Sequence, residues 1–193
     1  MLKIAIILGS TRPGRRGEQV AQWVLQQAVG RGDAEYEIVD LRDHPLPHLD
    51  EPVQPAQNRY SHEHTKAWSR TIDPYDGFIF VTPEYNHGVP GVLKNAIDYL
   101  YHEWNSKAAT FVGYGAVGGA RAIQQLRLIA SGVDMATTRA DVALSVFTDF
   151  EEDRITFAPT EFSHRALHHA LERVGEWSGA LRELRLSKSA PAV

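Results

Sequence analysis

The sequence predicts an α/β fold in which a doubly wound, five-stranded parallel sheet carries helices on both faces. Two observations lead there. Short apolar, β-rich runs alternate with helix-periodic stretches through five successive strand–helix units, the order expected of a parallel sheet covered on both sides. The run Gly77–Thr82 (GFIFVT) also lacks the in–out alternation of a half-exposed strand, as it should if both its faces are buried. Right-handed crossovers then wind the sheet in both directions.

Taken in order, Lys3–Leu8 (KIAIIL) is the first strand and ends at Gly9. Gly17–Val29 follows as a helix, because Val20/Val24 and Ala21/Leu25/Ala28 share one face. Tyr36–Leu41 is the second strand, and a proline-rich excursion over Asp43–Pro55 leads to a helix at Ser61–Ile72. Gly77–Thr82 is the third strand. Pro90–Tyr101 is a helix with Pro90 near its first turn and Val92, Leu93, Ala96, Ile97 and Leu100 as its apolar face. Ala108–Val112 and Gly119–Ser131 form the fourth unit. Thr137–Val146 contains the fifth strand, and Ser163–Leu186 is a long last helix. Ser187–Val193 should fray. No repeat or linker divides the chain, so residues 1–193 are expected to form one domain.

Composition narrows the chemistry. The chain is 43% hydrophobic and 23% charged and has no cysteine, which excludes disulfides, thiolate nucleophiles, Cys-ligated zinc and iron–sulfur clusters. Electrons, if moved, need an organic cofactor. A net charge of −4 gives no field for nucleic acid or an anionic membrane surface. The aliphatic runs are too short to cross a bilayer, and no signal-peptide pattern precedes the first strand. A soluble protein of a cytoplasm-like compartment is expected. His44, His48, His62 and His64 lack the partners or spacing of a structural zinc site, so no metal is expected.

Ligands of doubly wound sheets bind beyond the C-terminal strand ends, where strand order switches, which directs attention to the loops after strands one, three and four. The first, Gly9–Gly17 (GSTRPGRRG), gathers hydroxyls, arginines and glycines just ahead of a helix. Free N–H donors at the helix start favour an anion, and Arg12, Arg15 or Arg16 can add bidentate hydrogen bonds. The loop lacks the Lys-Ser/Thr of a triphosphate site, so a terminal monophosphate fits better, and the switch-point position favours it over a solvated turn. The second loop, Thr82–Gly91 (TPEYNHGVPG), admits two readings. It is a platform for a flat ring system of mixed polarity, with Tyr85 offering a π-face and Asn86 a donor and an acceptor, or it is a rigid turn capping the next helix. The third, Gly113–Gly118 (GYGAVG), is a literal G-x-G-x-x-G, but only one strand and one helix follow it, and lone matches are common by chance. It is expected to be a glycine-lined wall beside the ligand rather than a pyrophosphate site.

Together the three loops resemble the NAD(P)H-dependent FMN reductases of flavodoxin-like fold, a family that includes quinone, azo-dye and chromate reductases. The resemblance covers nearly the whole chain and is carried by Leu8–Arg12 (LGSTR), Pro83–Leu100 (PEYNHGVPGVLKNAIDYL) and Gly118–Arg121 (GGAR). It implies that Ser10, Arg12, Arg15 and Gly17 bind the FMN phosphate. It implies that Pro83, Glu84, Tyr85, Asn86 and His87 line the isoalloxazine and ribityl chain, and that Gly113, Tyr114 and Gly115 complete the pocket. Many relatives carry Ser and Asn where this chain has Arg15 and Gly17, and the position of His87 varies.

The implied activity is ping-pong. FMN takes a hydride from NAD(P)H and passes two electrons to a small acceptor such as a quinone or free flavin, with no catalytic side chain assigned. Relatives are usually dimeric, and the wide apolar face of Pro90–Tyr101 fits a homodimer or a dimer of dimers. Two rivals are distinguishable. An electron-carrying flavodoxin would be more acidic, with a hydroxyl-rich first loop, and a Rossmann-type NAD(P)-dependent oxidoreductase would use the third loop and bind no flavin. Trp104 is either core packing or a wall lent to a dimer.

Overall fold

Alternate residues of the central strands face opposite sides of the sheet, and this builds two cores. In the computed structural model, which describes residues 1–189, the order is β1 (Leu2–Leu8), α1 (Gly17–Val29), β2 (Ala34–Asp40), α2 (Glu63–Ile72), β3 (Gly77–Pro83), α3 (Gly91–Asp98), β4 (Ala108–Gly115), α4 (Ala120–Gly132), β5 (Ala136–Ser145) and α5 (Glu161–Ser189). One short 3-10 turn, Pro55–Gln57, interrupts the excursion between β2 and α2. Ile4, Ile6 and Leu8 of β1 with Ile79 and Val81 of β3 pack against α1 and α5. Ala5 and Ile7 with Phe78 and Phe80 pack against α2, α3 and α4. All residues of β3 are buried, which is why its sequence shows no alternation.

The five strands are all parallel in the order β2-β1-β3-β4-β5, the flavodoxin-like arrangement. The chain leaves β1 toward β2 and returns across it to β3, so the switch point lies between the ends of β1 and β3.

Most element ends shift by one or two residues from expectation, and three differences have a clear physical reason. The helix expected over Pro90–Tyr101 spans Gly91–Asp98, with Pro90 at its N-cap. Two indoles end it: Trp68 Nε1–H donates to the Ala96 carbonyl at 2.8 Å, and Trp104 Nε1–H to the Ile97 carbonyl at 3.1 Å. Trp104 is therefore core, 1% exposed and edge-on to Phe78 at 4.8 Å. β4 runs past Val112 to Gly115, pairing Gly113, Tyr114 and Gly115 with Ala143, Leu144 and Ser145. Half of the expected third loop is thus strand, which removes the turn that a pyrophosphate site requires. The last helix, finally, continues through Ser187–Ser189 instead of fraying there, with the Ser187 hydroxyl donating to the Leu184 carbonyl at 2.9 Å. Residues 190–193 of the expected frayed tail lie outside the described residues.

Candidate functional site

The loop after β1 is fastened from behind. Ser10, wholly buried, places its hydroxyl 2.8 Å from that of Tyr85 and accepts the Arg12 backbone N–H at 3.4 Å. Arg15 turns away from solvent, its side chain 1% exposed. Its guanidinium donates to both Asp40 carboxylate oxygens, to Glu18 Oε1 at 3.1 Å and to the Ser10 carbonyl. Partial burial works to raise the Asp40 pKa, but the hydrogen bonds and charge of Arg15 and Arg42 outweigh it and hold the carboxyl below its ordinary range. Arg42 adds hydrogen bonds to Glu18 at 2.7 Å and to the Arg12 carbonyl at 2.8 Å. Arg15, expected among the phosphate ligands, therefore has its charge already balanced and braces the loop. Arg12 stays exposed, its guanidinium without a partner among the described residues, and Arg16 lies 5.8 Å over the Phe150 ring.

Immediately beyond is the N-terminus of α1. Arg16 occupies the N-cap in helical conformation, and no capping side chain takes up the N–H groups of the first turn. Gly17 opens the helix because nothing larger fits: a Cβ there would lie 2.6 Å from the Tyr114 hydroxyl and 2.8 Å from Leu8 Cδ1. That hydroxyl is buried and has no hydrogen-bond partner among the described residues. Burial, with Tyr85 nearby, raises the phenol's pKa and keeps it a neutral donor.

The loop after β3 is a two-residue reverse turn. Tyr85 and Gly88 exchange backbone hydrogen bonds of 2.9 and 3.0 Å, and Asn86 and His87 between them take φ values of 50° and 67°. Positive φ at both central positions is the geometry of a type I′ turn, a conformation that Asn and His adopt more readily than other side-chain-bearing residues. Gln125 of α4 holds the exit, its amide oxygen accepting the Val89 N–H at 3.1 Å. Glu84 accepts from the Arg121 backbone N–H at 2.9 Å and from its guanidinium at 2.6 Å, capping α4. Burial works to raise the Glu84 pKa, but Arg121 lowers it below its usual value. So the turn is rigid, and the helix it caps is α4 rather than the next one, α3.

These loops enclose a cleft of about 480 Å³, bounded by Arg12, Arg15 and Arg16 from the first loop, Pro83, Glu84 and Tyr85 from the second, and Tyr114 and Gly115 from β4. Ser10 and Gly17 underlie it through their contacts with Tyr85 and Tyr114. Asn86 and His87 stand exposed at the turn tip, outside the lining, and Gly113 is buried within β4. Gly118 and Gly119, with φ of 68° and 70°, make the tight return from β4 into α4. Of the other histidines, His44 packs 5.0 Å from Trp68, while His62 and His64 stack at 5.1 Å with His64 Nε2 3.0 Å from Asp50 Oδ1.

Sequence reasoning missed Asp40 and Arg42, which reach the first loop only because β2 pairs with β1 and sets Asp40 beside Leu8. It also missed a fourth wall, Val146 and Ile155, from the connection between β5 and α5. The acidic run Glu151–Asp153 is exposed and hides the apolar Ile155 close behind it in the sequence.

Known proteins are similar to this chain in sequence and in fold. The sequence pattern of the NADPH-dependent FMN reductase family matches residues 2–149. An NAD(P)H-dependent FMN reductase of Schizosaccharomyces pombe is 40% identical over 178 residues, covering 91% of this chain and 88% of that one. A 2-hydroxy-1,4-benzoquinone reductase of a Burkholderia species is 33% identical over 141 residues, 69% of this chain and 73% of the other. In fold, the chain is similar to FerB, a flavoenzyme NAD(P)H:(acceptor) oxidoreductase from Paracoccus denitrificans, with a TM-score of 0.72 and 21% identity over 93% of this chain and 98% of that one.

Proposed function

The chain belongs to the NADPH-dependent FMN reductase family, and from that premise we propose that it is an FMN-dependent oxidoreductase that oxidises NAD(P)H and reduces quinones or flavins. One observation carries the placement of the cofactor. The buried, unpartnered hydroxyl of Tyr114 meets the open first turn of α1 at Gly17, in a cleft whose mouth holds Arg12. A neutral donor, free backbone N–H groups and an unpaired guanidinium suit a phosphate monoester. The residues therefore fit FMN.

Ser10, Arg12, Gly17 and Tyr114 would hold the phosphate, with Arg15 bracing the loop through Asp40. Pro83, Tyr85 and Gly115 would border the rest of the cofactor, with the exposed turn tip at Asn86 and His87 beside the cleft rather than lining it. Glu84 would fix that turn to α4. Bound FMN supplies hydride uptake from NAD(P)H and two-electron delivery to the acceptor, so no side-chain nucleophile is needed and we assign no catalytic acid or base.

We further propose one cofactor-binding domain, a cytoplasmic setting matched to the pyridine-nucleotide co-substrate, and a homodimer or dimer of dimers. No helix among the described residues is long and apolar enough to cross a membrane. The apolar face of α3 is consumed within the protomer, since Leu93, Ala96 and Ile97 are at most 2% exposed. Val117 just ahead of α4 and Leu128 on it, 48% and 77% exposed, are among the apolar side chains left for a second copy.

The test of function is direct. Protein loaded with FMN should oxidise NADPH or NADH in the presence of a benzoquinone with no other protein added, and denaturation should release FMN. Release of FAD, or NAD(P)H oxidation that proceeds equally without flavin, would contradict the proposal.

A further inference from the structure

Of the cleft's fourth wall, Val146 begins the stretch of the chain that leaves β5, and Ile155 is carried by the short hairpin that follows it. From its position over the cleft we infer that the hairpin Phe150–Phe157 is a cover, that Gln19 is its positioning residue, and that the pair sets how fast FMN leaves. The inference rests on the reading of the cleft as an FMN site.

The hairpin is built to hold one shape. Phe150 and Phe157 pair as an isolated bridge, and the Glu151 N–H donates to the Thr156 carbonyl at 2.9 Å. The Asp153 carboxylate accepts the backbone N–H groups of Ile155 and Thr156 at 2.7 and 2.8 Å, which closes the tip. Asp149, 3% exposed, ties the two ends together, accepting the Ser145 N–H at 3.0 Å from the end of β5 and the Thr160 hydroxyl at 3.3 Å ahead of α5.

The base and the tip are both fixed to α1. Trp23 meets Phe157 edge-on at 5.3 Å. One turn earlier, the Gln19 side-chain amide donates to the Ile155 carbonyl at 2.9 Å and accepts the Phe157 N–H at 2.9 Å. Gln19 lies two residues after Gly17, so the clamp and the proposed phosphate donors belong to one helical turn. Its effect is to hold Ile155 over the cleft mouth, where it lines the space with Arg12 while remaining 59% exposed. An aliphatic side chain held there adds little to the protein's own core, and over a ligand it excludes water and strengthens the attraction between Arg12 and an anion.

The experiment loads wild type, Gln19→Ala and Ile155→Ala with FMN and follows cofactor release after dilution by the return of FMN fluorescence, alongside amide hydrogen exchange. Losing two hydrogen bonds should speed release about tenfold in Gln19→Ala. The Phe157 amide should lose its protection while amides of β1 and β3 keep theirs. Ile155→Ala should speed release about threefold with the Phe157 amide still protected, because the clamp is intact and only the cover is smaller. Release within twofold of wild type in both variants would overturn the inference and leave the FMN reading standing. So would faster release in Gln19→Ala with the Phe157 amide still protected. A wild type that retains no FMN would overturn the reading of the cleft and the inference with it.

Discussion

Arg12 and Arg15 sit three residues apart in one loop, and the structure gives them different roles. Arg12→Ala should weaken FMN binding by about 10- to 100-fold, the equivalent of roughly 1.5–3 kcal/mol for a charge-assisted contact, with no change in the melting temperature of the apoprotein. Arg15→Ala should lower that melting temperature, because it strands Asp40; a broken buried pair costs roughly 3–5 kcal/mol, and about half of that is expected here since Asp40 keeps contact with water. Calorimetry beside FMN titration separates the two. The same pair fixes a pH dependence. The Asp40 carboxyl titrates below its ordinary 3.8 in the folded protein, so its stabilising effect is complete above that value and fades as the pH falls through the folded one. Asp40→Asn should therefore flatten the stability curve below about pH 4, which acid titration of unfolding would read. Tyr114→Phe should act with opposite signs on two measurements. It removes a buried hydroxyl that lacks a partner, so the apoprotein should gain up to about 1 kcal/mol while FMN binds less tightly. Both effects vanishing would show that the hydroxyl faces no ligand. The sequence presented Arg12 and Arg15 as equals, because the loop alone does not reveal the carboxylate 25 residues away that claims one of them.

At the level of elements, strands were legible wherever burial was complete. The runs at Ile4–Leu8 and Phe78–Val81 are apolar on both faces because both faces are covered, and their positions follow from composition alone. Element ends were less legible where distant side chains set them. The last carbonyls of α3 are satisfied by indoles from α2 and from beyond the helix, and no local signal in Pro90–Tyr101 announces this. The cover hairpin escaped for the same reason, since Gln19 and Phe157 meet across 138 residues. The glycines of the return into α4 supply a test of element packing. Gly118 has φ of 68° and a Cβ there would fall 2.7 Å from Ala143 Cβ, whereas Gly14 has φ of 65° with nothing within 4 Å. Gly14→Ala should cost about 1 kcal/mol, the backbone term alone, and Gly118→Ala about 3 kcal/mol once the clash is added. Urea unfolding of the two variants measures the difference, and equal costs would mean that the β4–α4 return yields without strain.

For the whole molecule, the parallel sheet sets the cleft at the place where strand order reverses, and the hairpin Phe150–Phe157 sets Ile155 at its mouth. The proposed dimer is checked by light scattering at micromolar concentration. Twice the protomer mass in the wild type and a shift toward the single mass in Leu128→Glu are expected, and a single mass in both would remove the dimer from the account. The central claim is that the cleft recognises a terminal phosphate at the start of α1. Its most direct measurement is a paired titration of the apoprotein with FMN and with riboflavin, which share every atom except that phosphate. The account predicts that riboflavin binds about 100-fold more weakly than FMN, and that Arg12→Ala narrows the gap. Affinities for the two flavins within threefold of each other would contradict it.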